Sequence, residues 1–113
     1  MRLVTDEVQP ALLLPDPTVK TIVPTREQLA ERELALARKA QQNGLVDPPD
    51  VAVVRWITRD EHPSVMADCL IAAGWPITNV SASGYDVEYT ADQEAAMILS
   101  DYVCDAQYPV AAP

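Results

Sequence analysis

Glycine is scarce in this chain of 113 residues, which contains only three of them. A phosphate-cradling loop and a dinucleotide-binding fingerprint both need several closely spaced glycines, so neither is present. A Gly-x-Ser-x-Gly nucleophile elbow is missing from the sequence as well. The sequence thus lacks the common signatures of nucleotide-binding proteins and α/β-hydrolases, and it predicts no enzymatic activity and no cofactor.

Positive charge is also scarce, with 8 Lys and Arg against 17 Asp and Glu and a formal net charge of −9. The excess acid lies in residues 45–113, where Arg55 and Arg59 are the only Lys or Arg residues. Such a surface repels phosphate groups, so we expect no direct nucleic-acid partner. The basic pair Arg38-Lys39 falls at the end of a predicted helix, where positive charge complements the helix dipole.

Metal ligands and long apolar runs are few. The sequence has two cysteines and a single histidine, His62, which is too few for the four ligands that structural zinc takes. The acidic residues beside it, in Asp60-Glu61-His62, are interpreted as a solvated loop that leads into a helix. No apolar run approaches the ~20 residues of a membrane-spanning helix, so no membrane span is expected.

Four prolines interrupt residues 1–24, which are nevertheless rich in apolar side chains. Each proline fixes φ and removes a donor, which excludes a regular helix or a central strand. The segment is predicted to be an extended arm that lies on a neighbouring subunit, the alternative being its own domain. The predicted partner-binding residues, in the arm and the helix after it, are Leu12, Leu13, Leu14, Ile22, Val23, Leu29 and Leu36.

Residues 25–44 predict a helix with a clear start and end. Thr25 and Gln28 form a capping-box pattern, and Gly44 is a residue that commonly ends a helix. The apolar stripe of this helix is thin, which indicates packing through one narrow face. Residues 45–50 contain two adjacent prolines and are predicted to be a stiff linker to the compact domain.

Residues 51–110 predict that compact domain, and residues 111–113 a short tail. The predicted elements are a strand over 51–58, a helix over 64–73, strands over 77–82 and 85–89 that join at a Ser83-Gly84 turn, and a helix over 90–106. The expected fold class is α+β, a small antiparallel sheet with two helices on one face in the order β-α-β-β-α. The Pro-rich extended arm and a separate helix precede it.

Cys69 and Cys104 both lie late in helices that are predicted to pack on the same face of the sheet. The two sulfurs can therefore meet, and the sequence predicts a disulfide bond, the alternative being two buried free thiols. A bond that closes a loop of this length stabilises a domain by roughly 4 kcal/mol in the chain-entropy model. Disulfides persist in oxidising surroundings, which include the surfaces of virus particles.

The sequence around these cysteines resembles a known type of domain. The segments Asp68-Cys69-Leu70 and Ala73-Gly74-Trp75, and the run from Cys104 through Tyr108-Pro109, are similar to small two-cysteine domains of actinobacterial exported lipoproteins. Proteins of actinobacterial phages carry similar domains. The resemblance covers about residues 51–110 and implies no catalytic residues. The lipobox and apolar leader of the lipoproteins are missing here, which favours a phage protein.

The sequence therefore predicts a non-enzymatic structural or interaction protein of a larger assembly, such as a phage head, connector or tail. The expected partners are protein subunits, which include copies of the chain itself or a capsid or tail protein, and the expected location is the virion. The alternative is an exported or envelope-associated binding domain whose leader is absent from this chain. That protein would be located outside the cell or in the cell envelope.

Overall fold

A computed structural model describes residues 21–111 and shows three α-helices and a two-stranded antiparallel sheet. The predicted α+β class is confirmed. The predicted arm lies largely outside the described residues, and its last part, residues 21–24, has no regular secondary structure. The elements are α1 (Arg26–Gln42), α2 (His62–Ala72), β1 (Ile77–Ser81), β2 (Gly84–Val87), a 3-10 turn (Ala91–Gln93) and α3 (Glu94–Gln107).

Helix α1 begins with the capping box that the sequence predicts. The backbone N–H of Gln28 donates to the Thr25 hydroxyl at 3.1 Å, and the Thr25 N–H donates to the Gln28 side chain at 2.9 Å. These two bonds satisfy donors that have no carbonyl partner in the first turn. The helix ends at Gln42, and Gly44, with φ of +71°, turns the chain away from the helix axis.

The linker after α1 folds back, so α1 is separate from the compact domain in sequence but packs along α3 in space. The N–H of Leu45 donates to the Ala40 carbonyl at 2.8 Å. Asp47 has φ of +52° and directly precedes Pro48, although a residue before proline favours extended backbone. A left-handed residue of this kind costs on the order of 1 kcal/mol, and aspartate tolerates it better than most side chains.

The predicted strand over 51–58 is not part of the sheet. Its N–H groups instead donate to the end of α3 and the chain after it, from Val54 to the Gln107 carbonyl at 2.8 Å and from Ile57 to the Pro109 carbonyl at 2.9 Å. One parallel bridge joins Ile57 to Val110. Because Pro109 has no N–H to return, this ladder stays short. Residues 51–58 are apolar because Trp56 and Ile57 are buried in the domain. Burial of these side chains does not require the segment to be a strand of the sheet.

The hairpin of β1 and β2 contains a bulge. Ile77 pairs with Val87 and Thr78 with Asp86, but the register then shifts by one residue. Asn79 lies at this shift with φ of +55°, and its side-chain amide donates to the Asp86 carboxylate at 2.8 Å. The turn is at Ala82-Ser83, one residue earlier than predicted, and both strands end earlier than the sequence indicates.

The core lies between α2, α3 and the hairpin. Its buried members are Met66 and Leu70 of α2 and Met97 and Cys104 of α3, and the partly buried side chains packed on them are Cys69, Trp75, Ile77, Tyr85 and Val87. Helix α2 packs directly on both strands, and α3 packs on α2 and on α1. Tyr89, just after β2, is exposed and meets the Trp75 ring edge-to-face, with centroids 6.4 Å apart.

Candidate interaction site

The two cysteines join α2 to α3 beside the core. Their sulfurs are 2.09 Å apart and their Cα atoms 6.0 Å apart, so the predicted pair lies at disulfide-bonding distance. Cys104 is buried, and Cys69 is partly exposed at the edge of a surface groove. The bond therefore fixes the spacing of two helices that also form the floor of that groove.

This groove, called here the disulfide groove, is open and has a volume of about 640 Å³. Its apolar lining comes from α2 and α3 and includes Val65, Ala72, Leu99 and Val103.

At one end of the disulfide groove, Arg55 pairs with Glu61 at 3.2 Å. The backbone hydrogen bond from Thr58 to Glu61, with help from Arg55, lowers the pKa of this carboxyl against a smaller opposing effect of burial. The positive charge of Arg55 and the negative charge of Glu61 therefore compensate each other at this end of the groove, as in a structural ion pair.

On another side of α3, Arg32 of α1 binds the end of that helix. Its Nε and Nη2 atoms donate to the Ala106 carbonyl at 3.2 and 2.8 Å, and Nη2 also donates to the Val51 carbonyl at 2.8 Å. The carbonyls in the last turn of a helix lack intrahelical donors, so a guanidinium placed there completes their hydrogen bonding. Arg32 thus ties α1 to α3 and to the chain that enters the compact domain.

About two helical turns further along α1, Lys39 pairs with two carboxylates of α3. Its ammonium lies 2.6 Å from Asp101 and also bonds Asp105, which is four residues later on the same face. The His62 ring nitrogen Nε2 lies 3.4 Å from Asp105. Burial by itself lowers the pKa of Lys39, but the hydrogen bonds that its ammonium donates to Asp101 and Asp105, together with their negative charges, outweigh it, and the pKa is raised above 10.5.

Tyr85 of β2 lies near the same charges. Burial, with a further effect of the Asp101 and Asp105 carboxylates, raises the pKa of its hydroxyl above the ordinary value of 10.0. The five residues Lys39, His62, Tyr85, Asp101 and Asp105 are called the Lys39 cluster below. Across residues 21–111 no group of three or more potential metal ligands is found, and the cluster pairs its carboxylates with an ammonium group.

The attachment of α1 is therefore mainly polar. Among the described residues of α1, Ala40 alone is buried, and Leu36 is half-buried in a hollow with Trp56 and Pro109. An interface held by charged groups rather than by a dry apolar contact is sensitive to each charge that it contains. Arg32 and Lys39 supply hydrogen bonds and ion pairs to this contact, and Leu36 and Ala40 supply apolar area.

The predicted partner-binding residues fall into three groups. Leu12, Leu13 and Leu14 lie outside the described residues. Val23 and Leu29 are exposed, by 84% and 48%, while Ile22 is half-buried. Leu36 is half-buried against its own domain, on the same side of α1 as Arg32 and Lys39.

Two exposed apolar residues and one acidic pair were not predicted as site residues. Leu34, which falls off the predicted stripe, is 63% exposed on the outer face of α1, and Val46 in the linker is 84% exposed. Asp101 and Asp105 are spaced by four residues, which places two carboxylates on one helix face. That spacing, together with a basic residue on another helix, was the available signal for the Lys39 cluster.

Comparison with protein-family models, with curated protein sequences and with solved structures gives no match. None of the described helices is long and apolar enough to cross a membrane.

Proposed function

We propose that this chain is a non-enzymatic structural subunit that binds neighbouring subunits of a larger assembly through its N-terminal arm and α1. Within that class, we propose a component of a phage virion, in the head, the connector or the tail. The partners are protein subunits, either copies of the chain or another virion protein.

The observation that carries the proposal is the amount of large apolar surface around α1. Val23, Leu34 and Val46 expose most of their side chains, and Leu29 exposes about half. By contrast, within residues 21–111 the large side chains that are almost completely buried are Ile57, Met66 and Leu70. Bulky apolar residues left exposed on and beside one helix of a small domain are typical of a subunit with partners.

Two further features support the virion. The cysteine pair suits a protein that works in an oxidising medium, which a released particle meets. The likeness of residues 51–110 to two-cysteine domains of actinobacterial phage proteins and exported lipoproteins adds to this. The acidic surface argues for protein partners rather than nucleic acid.

The proposal is tested by measuring the native mass of the protein isolated from its source by light scattering, with and without reductant. We expect a mass well above that of one 12.3 kDa chain and a cysteine bridge that only reductant opens. A single free chain, with or without the bridge, would contradict the assembly role.

A pair of charge insertions tests whether α1 provides the contact. Leu34→Glu places a charge on the exposed outer face of α1 and should lower the assembled fraction, whereas Val80→Glu makes the same change at an exposed position of the hairpin. Equal assembly of the two variants would show that the outer face of α1 is not used.

The disulfide groove favours a second candidate, an exported or envelope-associated domain that binds an apolar ligand. Its volume of about 640 Å³ falls in the range of small-molecule sites. Titration with a neutral apolar dye, compared between two variants, tests this role. Leu99→Asp places a charge in the groove, and Ile71→Asp places the same charge at an exposed position outside it as a control. Binding that is lost only in Leu99→Asp would support the second candidate over the first.

A further inference from the structure

We propose that α1 is exchanged between two copies of the chain, so that α1 of each subunit docks on α3 of the other. The contacts in the exchanged pair are those that α1 makes within its own subunit: Arg32 on the Ala106 and Val51 carbonyls, and Lys39 on Asp101 and Asp105. This inference rests on the proposed function, because it names the partner and the surface through which α1 joins subunits.

The docking contact is suited to exchange because it is mainly polar. Charged groups are well hydrated when α1 is released, and on α1 itself the apolar side chains covered by docking are Leu36 and Ala40. The same groups require a matched surface, since two carboxylates one turn apart and a helix end must be presented together. A second copy of this chain carries that surface, so every contact can be remade in the exchanged pair.

The loop that connects α1 to the domain favours the open form. To bring α1 back onto its own α3, Gly44 and Asp47 both adopt positive φ, at +71° and +52°. Pro48 favours extended backbone at Asp47, and the adjacent prolines stiffen the chain beyond it. In an open loop Asp47 is free to take that extended conformation. A short hinge loop that is strained in the closed form is a recognised cause of exchange between subunits.

The reach of the open loop is sufficient. Residues 43–50, when extended, span about 26 Å, which is longer than the separation of two packed helices. Helix α1 can therefore leave its own α3 and lie on that of an adjacent copy while its linker remains attached.

Charge also favours a second copy as the partner. Residues 25–44 carry four basic and three acidic residues, whereas residues 45–113 carry two basic and eleven acidic residues. Two copies of the compact domain repel each other, and α1 is the segment of each chain that attracts the acidic domain of the other. In the exchanged pair each acidic α3 face receives one such helix.

The experiment mixes two full-length variants that cannot dock α1 when each is alone. The first is Lys39→Glu, whose new carboxylate is repelled by the carboxylates of Asp101 and Asp105. The second is Asp101→Lys with Asp105→Lys, which faces Lys39 with like charges. In a mixed pair, the carboxylate introduced in the first variant meets the two ammonium groups introduced in the second. The unchanged Lys39 of the second variant meets the unchanged aspartates of the first.

Dimer formation is measured by light scattering over a concentration series. We expect each variant alone to dimerise about as tightly as the original chain, because the repelled contact is lost from its closed monomer and from its exchanged pair alike. The equimolar mixture should dimerise more tightly than either variant, by roughly tenfold for each docking contact that the mixed pair restores, the effect of about one charged hydrogen bond. A mixture that dimerises no better than the separate variants overturns the exchange.

Two control chains make the result specific. Arg38→Glu changes a neighbouring exposed charge on α1 and should dimerise like the original chain. A single chain with all three substitutions has matched charges in its closed and exchanged forms alike, so it should dimerise like the original chain and less tightly than the mixture. If that chain, with α1 shown to be helical by circular dichroism, dimerises as tightly as the mixture, the Lys39 pairing does not join the subunits.

A hinge variant tests the loop independently. Asp47→Gly removes the cost of the left-handed residue in the closed form and should shift the equilibrium a few-fold toward monomer. Asp50→Gly is the matched control, because it removes the same charge from the linker at a position where φ is not positive. Equal dimerisation of these two variants would overturn the part assigned to the hinge.

The outcomes separate this inference from the proposed function. If the original chain assembles in its source but the mixture of variants dimerises no more tightly than the variants alone, the exchange is contradicted and the assembly role remains. If the chain isolated from its source carries no partner subunit at any concentration, both the exchange and the assembly role are contradicted.

Discussion

Helix α3 has two packed sides that differ in chemistry. Toward α2 and the hairpin it presents Met97 and Cys104, which lie in a dry core and are tied by the disulfide. Toward α1 it presents Asp101, Asp105 and the Ala106 carbonyl, which accept hydrogen bonds from two cationic side chains. The first contact depends on area and shape, the second on the placement of individual charges.

This difference shows how one helix can be both part of a fixed core and a docking surface. A dry contact loses free energy in proportion to the apolar area that is exposed, so it opens only when the domain unfolds. A polar contact exchanges its hydrogen bonds for bonds to water, so it can open while the domain stays folded. We therefore expect substitutions on the two sides of α3 to affect different measurements.

The largest effect is expected from removal of the disulfide. Replacement of both Cys69 and Cys104 by alanine should lower the free energy of unfolding by about 4 kcal/mol, because the unfolded chain regains the freedom that the closed loop denied it. Urea denaturation of the variant and of the original chain measures this difference. Reductant added to the original chain should reproduce most of it, and a loss below about 1 kcal/mol would show that the core does not depend on the bond.

The next largest effect is expected from Leu70→Ala, which should lower the free energy of unfolding by about 2–5 kcal/mol. Leu70 is fully buried, and its truncation leaves a cavity in the core. The matched control is Leu34→Ala, which makes the same change on the exposed face of α1 and should stay within about 0.5 kcal/mol. Both values come from urea denaturation. Equal losses in the two variants would contradict the division between a core side and a docking side.

Arg32→Ala should weaken the docking of α1 by about 1–3 kcal/mol, because the Ala106 and Val51 carbonyls lose their charged donor. Hydrogen exchange of the α1 amides is the appropriate measurement, since α1 can open while α2 and the hairpin remain protected. Arg38→Ala removes an exposed arginine from the same helix and should leave the exchange unchanged. Loss of protection in α2 as well would indicate that α1 and the core open together.

The smallest effect is expected from alkaline pH. The pKa of Lys39 is raised in the folded protein, so its contribution to stability is complete below the unfolded value of 10.5 and is lost as pH rises through the folded value. The pKa of Tyr85 is also raised, so its titration opposes folding in the same direction from pH 10.0 upward. Urea midpoints measured across this range should fall, and less steeply in Lys39→Met. If the urea midpoint falls equally steeply with pH in Lys39→Met, then Lys39 does not cause the loss of stability.

Features set by neighbouring residues were predictable from the sequence. The Thr25–Gln28 capping box depends on side chains three residues apart, and its pattern alone located the start of α1. The pairing of Cys69 with Cys104 followed from their equivalent places late in two helices. In both cases few alternative partners exist, so the pattern determines the contact.

Contacts between distant segments were not predictable in the same way. The β-branched residues of 51–58 predicted a sheet strand, but their hydrogen bonds go to residues 107–111 because those residues are placed beside them by α3. The docking of α1 depends on Lys39 meeting Asp101 and Asp105, three residues whose sequence positions do not reveal that they are neighbours. Propensity gives the local conformation, and the tertiary partner has to be known for the rest.

The pairing of residues 54–57 with residues 107–111 encloses α2, the hairpin and α3 in sequence. Inside it lies the Cys69–Cys104 bond, and inside that bond lies the hairpin of β1 and β2. Such nested closures form most readily from the inside outward, since each inner closure shortens the loop that the next one must close. On a ribosome, the hairpin and α2 can therefore form early, whereas Val54 must wait for Gln107 and Ile57 for Pro109 and Ala111 to be synthesised.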